Sequence, residues 1–281
     1  GSVSKSLTIE GYRLIDGVAV DGYISNAEIF IDENDNYTLD GEEEGTTTDV
    51  NGKFIDLKYT DGSLISLGGT DLDSQTLLDN FLILQKLTGH TEFKAITPVT
   101  SLAAFMSNAS NVNAALGIDS TIDVFAFDPV ASKGDVGIYD YLYEKGNQLT
   151  ILAFALQNIT NDLNITTETT EDFFKAIAEE LEAEYTETST TIDIETNAFI
   201  SKVVNNIEIA KSLNLDETFK TNTIDVLSAV LPVIGVKSTN DLTTAVIRFA
   251  VSTFQTDIQA IANGTASSNI LSSYTSDVLN F

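Results

Sequence analysis

The sequence predicts an α+β chain in two parts, an N-terminal β-sandwich over residues 1–97 and a C-terminal all-α helical bundle over 98–281. Three observations predict it. Short apolar runs punctuated by turn signals fill the stretch before Pro98. Helical periodicity dominates after it. The 281 residues, 43% of them hydrophobic, suffice for one large core or two ordinary ones.

The strand half reads as follows. Leu7-Thr8-Ile9 and Val18-Ala19-Val20 are short β-type runs. Ala27 to Ile31 alternates apolar and polar residues, the mark of a half-buried strand. Asp49-Val50-Asn51-Gly52 is a turn signal, and Lys53 to Leu57 is the strand that follows it. Asp61-Gly62 marks another turn, Leu64 to Leu67 another strand, and Gly68-Gly69-Thr70-Asp71 breaks that strand. A Leu- and Ile-rich segment then runs to Ile96. Short strands at close spacing argue for a small sandwich.

In the helical half, Pro98 suits the first position of a helix carrying Leu102, Ala103 and Met106, because its missing N–H would be unpaired there anyway. Ile138, Leu142, Leu149, Leu152, Leu156 and Ile159 form an apolar stripe. Phe173, Ile177, Leu181 and Tyr185 form the next, with Thr169 and Asp172 resembling a capping box at its start. Phe199, Val203, Ile207 and Ala210 form another. Leu242, Val246 and Phe249 form a last one, ended by Asn263-Gly264. Thr186 to Thr191 reads as a polar loop. Six or more helices are expected, each hiding one face.

Charge narrows the function classes. The chain carries 42 acidic and 14 basic residues, a net charge of −28. Such a field repels phosphate backbones and anionic lipids and attracts cations, so no nucleic-acid partner is expected. Solubility alone is the competing explanation of the acidity. The chain has no cysteine, which excludes disulfides and thiolate zinc sites. The longest apolar run, about Ile224 to Val236, is too short to span a bilayer, so no membrane insertion is expected. Gly1-Ser2 resembles a cloning remnant, so the native termini are expected to lie elsewhere.

One motif carries clear chemistry, the twelve residues from Asp32 to Glu43. Oxygen-bearing side chains fall at loop positions one, three, five, nine and twelve, namely Asp32, Asn34, Asn36, Asp40 and Glu43, and Thr38 stands where a backbone carbonyl serves. A hard cation such as Ca²⁺ takes six to eight oxygens, and a short loop supplies them by curling alternate side chains onto one point. Three carboxylates leave little net charge once the ion is bound, which predicts an affinity in the extracellular range of roughly 10⁻⁴ to 10⁻³ M. From Glu28 to Asp49 there are nine acidic residues and no Lys or Arg, so their repulsion opposes a compact fold without a cation. Position six, where Gly usually eases the sharp turn, is Tyr37. The alternative is a solvated acidic turn between strands. A strand precedes the loop, so the expectation is a calcium-stapled β-domain and not a helix–loop–helix sensor.

Val18 to Ile31, the loop, and Thr46-Thr47-Thr48-Asp49-Val50-Asn51-Gly52-Lys53-Phe54 together resemble calcium-binding β-sandwich modules of bacterial surface proteins, similar to B-type and carboxypeptidase-regulatory-like domains. The shared pattern is a strand ending in Asp, an acidic Asn-rich loop, and a Thr-Asp-x-x-Gly turn leading to an aromatic. Gly68-Gly69-Thr70-Asp71, Ile96 to Leu102, Leu116-Gly117-Ile118 and Phe127-Asp128-Pro129 resemble segments of giant RTX-type adhesins of marine Gram-negative bacteria. The resemblance implies a non-enzymatic, extracellular module of an adhesin-like cell-surface or secreted protein, stabilised by calcium. It implies metal-ligand roles for Asp32, Asn34, Asn36, Thr38, Asp40 and Glu43. A peptide, glycan or surface protein is the expected partner, and the excised piece is expected to be a monomer. A glycan- or peptide-processing hydrolase and a plain spacer or surface-layer module are the rival readings.

The enzyme reading finds little support in the residues. His90 is the sole histidine and reads as part of a turn, no Gly-x-Ser-x-Gly elbow is present, and there is no Trp to line a sugar cleft. Thr70, Asp71 and Asp73 suggest a second cation site, but they read more simply as turn residues. Tyr139, Tyr141 and Tyr143 point around a helix and read as packing with one or two rims exposed.

Overall fold

The computed structural model describes residues 13–73, 75–87, 93–131, 138–162, 169–237 and 260. The Leu7 run, the turn around His90, and the Leu242–Phe249 stripe with its Asn263-Gly264 end all lie outside them.

The chain is mixed α+β. Among the described residues ten strands come first: β1 (Leu14–Ala19), β2 (Ile24–Ser25), β3 (Glu28–Asp32), β4 (Gly45–Thr47), β5 (Lys53–Lys58), β6 (Ser63–Leu67), β7 (Thr70–Asp71), β8 (Thr76–Leu77), β9 (Leu82–Lys86) and β10 (Phe93–Ile96). The α-helices that follow among these residues are α1 (Pro98–Phe105), α2 (Val112–Leu116), α3 (Ile138–Asp162), α4 (Glu171–Thr188), α5 (Asn197–Ala210) and α6 (Glu217–Lys237). One sheet has the order β10-β1-β5, with β1 parallel to β10 and antiparallel to β5. A second, fully antiparallel, has the order β4-β3-β6-β9. A small ribbon joins β2, β7 and β8.

Alternation along the strands divides the residues of the four-stranded sheet between two apolar clusters. Ile29, Ile31, Leu64 and Ile83 share one core with Ile15, Ala19, Phe54 and Leu57 of the three-stranded sheet. Phe30, Ile65 and Leu84 lie in register across the sheet and pack on the opposite side with Ala104 of α1, flanked by Tyr37, Leu39 and Phe105. The sequence predicts a half-buried strand over Ala27–Ile31. Instead Ile29, Phe30 and Ile31 are all fully buried, because α1 and the loop after β3 cover the second face. Complete burial of each such side chain contributes about 1.5–3 kcal/mol.

The turn after β4 shows why its residues are of these types. The Thr48 hydroxyl accepts the Ala27 N–H and donates to the Ile24 carbonyl, and the Asp49 carboxylate accepts the N–H groups of Asn51 and Lys53. These bonds hold the Asp49 carboxyl below the ordinary range. Gly52 has φ +71°, and a Cβ there would lie 2.9 Å from the Ala19 carbonyl oxygen, so no other residue fits without a shift. Phe54 then enters the core.

Pro98 opens α1 as predicted, behind a reciprocal Thr97–Thr100 capping box. α4 begins one residue later than the sequence suggests. Thr170 is its N-cap, and the Thr170 hydroxyl makes no capping bond because it is committed to Leu82. The predicted loop at Thr186 starts later too, since α4 runs to Thr188 and ends at a left-handed Ser189. Leu142, Leu149, Leu152 and Leu156 of α3, Phe173, Ile177 and Leu181 of α4, and Phe199, Val203 and Ile207 of α5 are buried, whereas Ala210 is exposed. A polar knot fastens α3 within this packing: Lys145 reaches Gln148 and Glu195, and the Gln148 amide donates to Glu195 and to the Leu231 carbonyl. No helix among the described residues is long and apolar enough to cross a membrane.

The change of secondary structure at Pro98 is not a gap in packing. One apolar core runs from Ile15 and Ile29 through Val99 and Leu102 to Leu152, Phe173 and Phe199. The Phe81 ring stacks on Phe154 at 4.8 Å. The outer edge of β9, which would otherwise present unpaired backbone groups, is sealed by hydroxyls from the helices. The Ser101 hydroxyl accepts the Leu84 N–H, and the Thr100 hydroxyl donates to the Leu84 carbonyl.

Candidate functional site

Asp32 is the last residue of β3, an inner strand of the four-stranded sheet, and it is fully buried there. The loop from Asp32 to Glu43 then coils around that carboxylate. Asp32 Oδ1 accepts the N–H groups of Asn34 at 3.1 Å and Asn36 at 3.3 Å, and Oδ2 accepts that of Tyr37 at 2.8 Å. Asn34 Oδ1 accepts the Asn36 N–H at 3.1 Å, and Asn36 Oδ1 accepts the Thr38 N–H at 2.8 Å. Both asparagine amides donate to Asp40 Oδ2, at 2.7 and 2.9 Å. Glu43 closes the coil: Oε1 accepts the Glu33 N–H and Oε2 the Asp40 N–H, each at 2.9 Å.

The structure therefore brings the side chains of Asp32, Asn34, Asn36, Asp40 and Glu43 into one hydrogen-bonded ring. Thr38 enters it through its backbone. By donor type the ring suits a hard cation: every candidate ligand atom is an oxygen, three carboxylates supply charge, and the asparagines supply neutral oxygens. The carboxylates do not gather by themselves. Among the described residues, no three His, Cys, Asp or Glu side chains form a group able to hold a metal ion. Any ion here would depend on the asparagine oxygens and backbone carbonyls between the acids.

Tyr37 settles into the position where the sequence raises a conflict. Its φ is +60°, and that of Asp35 is +58°. The left-handed conformation costs a non-glycine residue about 1–2 kcal/mol. The Tyr37 ring offsets part of this by packing against Phe105, edge to face with centroids 6.4 Å apart. Burial first, and then the charges of Asp35, Glu171, Asp32 and Asp172, push its phenol upward. Beside the loop, Glu28, Leu39, Asp40, Glu43, Thr46 and Thr47 help line an open concavity of about 640 Å³.

A second acidic group lies at the join of the two halves. The sequence reads Asp71 and Asp73 as turn residues, yet Asp71 sits in β7 and is 2% exposed. Asp71 Oδ1 accepts the Asp73 N–H at 3.0 Å. Asp73 in turn accepts a hydrogen bond from the Tyr143 hydroxyl of α3. Burial and the Asp73 charge push the Tyr143 phenol far upward. Nearby, the Tyr23 hydroxyl donates to Asp128 at 3.0 Å, and burial with that carboxylate raises its phenol to about 12. Sequence reasoning missed Asp21, which is buried and accepts the Thr150 hydroxyl at 2.6 Å. The one available signal was an Asp-Gly pair directly after a strand. Of the three helical tyrosines, Tyr143 is buried and Tyr141 half-buried, its hydroxyl donating to the Leu116 carbonyl; the Tyr139 side chain lies outside what is described.

Comparison of the chain with protein-family models, with curated proteins and with solved structures returns no match.

Proposed function

We propose that this chain is a non-enzymatic extracellular module of a bacterial adhesin-like surface or secreted protein, and that calcium held by the Asp32–Glu43 loop stabilises it. The observation that carries this reading is the closure of that loop: the side chains at positions one, three, five, nine and twelve are tied into one hydrogen-bonded coil although three of them are acidic. In this reading a β-sandwich over residues 1–97 is the calcium-dependent part, and a helical domain over 98–281 is built onto it. The ligands are Asp32, Asn34, Asn36, Asp40 and Glu43 with the Thr38 carbonyl. We assign a peptide, glycan or surface-protein partner to the concavity beside the loop, which Asp40 and Glu43 help to line.

Calcium in such a loop would neutralise carboxylates that repel one another, so the folded state would gain stability wherever the ion is abundant. At about ten to a hundred times the dissociation constant, the gain is about 1–3 kcal/mol. The test is thermal melting of the chain in excess EDTA and in millimolar calcium, with the Asp40→Ala/Glu43→Ala variant alongside. The expected result is a higher melting temperature with calcium that shrinks in the variant. An unchanged melting temperature across EDTA and calcium sinks the reading.

A further inference from the structure

We propose that the outer edge of β4 takes up a partner as an added β-strand, and that this partner is an extended peptide segment bearing lysine or arginine. The proposal narrows the partner assigned above to the concavity beside the loop, and it rests on that assignment.

The open edge follows from the ladder. β4 is an end strand of the four-stranded sheet and pairs with β3. In an antiparallel pair, residues that bond across the ladder alternate with residues that do not. Just before β4 the Glu44 carbonyl accepts the Ile31 N–H at 3.3 Å, and just after it the Thr48 N–H donates to the Ala27 carbonyl at 3.0 Å. Thr46, opposite Ile29, is therefore the residue of β4 whose backbone turns toward β3. Gly45 and Thr47 turn theirs the other way. Both are exposed, and among the described residues their outward N–H and carbonyl groups have no hydrogen-bond partner. The opposite end strand is treated differently, because hydroxyls of Thr100, Ser101 and Thr170 close the edge of β9. An edge left unpaired is a template for another strand.

The concavity supplies the room. It runs along Gly45, Thr46 and Thr47 and measures about 640 Å³. Gly45 and Thr47 stand opposite Phe30 and Glu28, so they share one face of the sheet with them. A Cβ at Gly45 would lie 3.2 Å from the Leu39 side chain. The bare glycine thus leaves Leu39 as an apolar wall for a side chain of the incoming strand.

Charge selects the occupant. The charged residues lining the concavity are Glu28, Asp40 and Glu43, all acidic. From Glu28 to Asp49 there are nine acidic residues and no Lys or Arg, so one Ca²⁺ in the loop leaves the segment strongly negative. A second copy of the chain, at a net charge of −28, is repelled. A strand with basic side chains is attracted, and its backbone satisfies the open groups of Gly45 and Thr47.

The probe is a short synthetic peptide of alternating lysine and valine, capped at both ends and titrated into the full chain by calorimetry, in calcium and in EDTA. The expected result is binding that weakens with added salt, with amide hydrogen exchange slowed more at Gly45 and Thr47 than at Thr46. Thr47→Pro removes an outward N–H and puts a ring in the path of the incoming strand, yet breaks no bond to β3. It is expected to fold as wild type and to weaken binding on the order of tenfold or more. The same peptide N-methylated at every backbone nitrogen keeps its charge and loses its donors. It is expected not to bind the wild-type chain, which tests the edge whether or not Thr47→Pro folds. No binding at millimolar peptide overturns the inference, as does equal binding by a folded Thr47→Pro chain, by the methylated peptide or by a glutamate–valine peptide. A dimer of the free chain that Thr47→Pro turns into a monomer also overturns it, because a second copy then holds the edge. Failure of the calcium reading looks different: melting is then the same in EDTA and in calcium while the peptide still pairs with β4. Failure of the strand pairing leaves calcium-dependent melting intact.

Discussion

The Thr170 hydroxyl accepts the Leu82 N–H at 2.7 Å and donates to the Leu82 carbonyl at 2.7 Å, so the N-cap of α4 acts as a one-residue neighbour strand to β9. Both atoms of that pairing are buried. Thr170→Val keeps the shape and removes the bonds, leaving two backbone groups unpaired. The expected loss is about 2–4 kcal/mol, read by urea denaturation, with Thr170→Ser close to wild type. If Val and Ser behave alike, the hydroxyl is not what seals the edge.

Asp32 has a structural duty that precedes any metal. Three N–H groups converge on its carboxylate, and the residue is fully buried. Asp32→Ala is therefore expected to cost about 2–4 kcal/mol even in excess EDTA. Glu43→Gln, which retains an acceptor at a more exposed place, is expected to cost less than about 1 kcal/mol under the same conditions. Equal stabilities for the two variants in EDTA would refute the claim that the coil is organised around Asp32.

Tyr37 offers a test of backbone strain. Tyr37→Gly relieves a left-handed residue but removes a half-buried ring from Phe105, so the net change is expected within about 1 kcal/mol. Tyr37→Val loses the ring and places a β-branched side chain at positive φ. It is expected to be less stable than the glycine variant by about 1–2 kcal/mol. Differential scanning calorimetry of the pair decides it.

Glu182 of α4 ties down the chain just after α1. Its carboxylate accepts the Ser107 N–H at 2.9 Å, the Ser107 hydroxyl at 2.7 Å and the Asn108 N–H at 3.1 Å. Burial works to raise its pKa, but these three bonds outweigh it and hold the carboxyl below 4.5. A depressed carboxylate contributes stability above its unfolded pKa and loses it as pH falls through the folded value. Glu182→Gln is thus expected to cost about 1 kcal/mol near neutral pH, discounted for solvent exposure, with the gap to wild type narrowing as acid protonates the carboxylate. A gap that does not change on acidification would mean that the charge contributes nothing.

The elements were legible in the sequence wherever one residue type had one physical use. Pro98 marked a helix start, Asp49 to Gly52 marked a turn, and the acidic, Asn-rich stretch after Asp32 marked a loop between strands. What stayed hidden were the uses that distant residues impose. The strand at Ile29–Ile31 read as half-buried because nothing local says that Phe105 and Tyr37 will cover Phe30. Thr169 read as the cap of α4 because nothing local commits Thr170 to Leu82. Asp73 does lie in a turn, but Asp71 is buried in β7, and nothing local says that Tyr143 of α3 will reach back to Asp73.

The parallel pairing of β1 with β10, in which Asp16 stands opposite Phe93 and Ala19 opposite Ile96, has a kinetic consequence. A strand near the start of the chain cannot find that neighbour until Phe93–Ile96 has been synthesised. Closing so long a segment carries an entropic penalty before any contact rewards it, so completion of this sheet should be a late event. Until then the upstream strands lack one of their borders, and the chain stays pliable while it is still emerging.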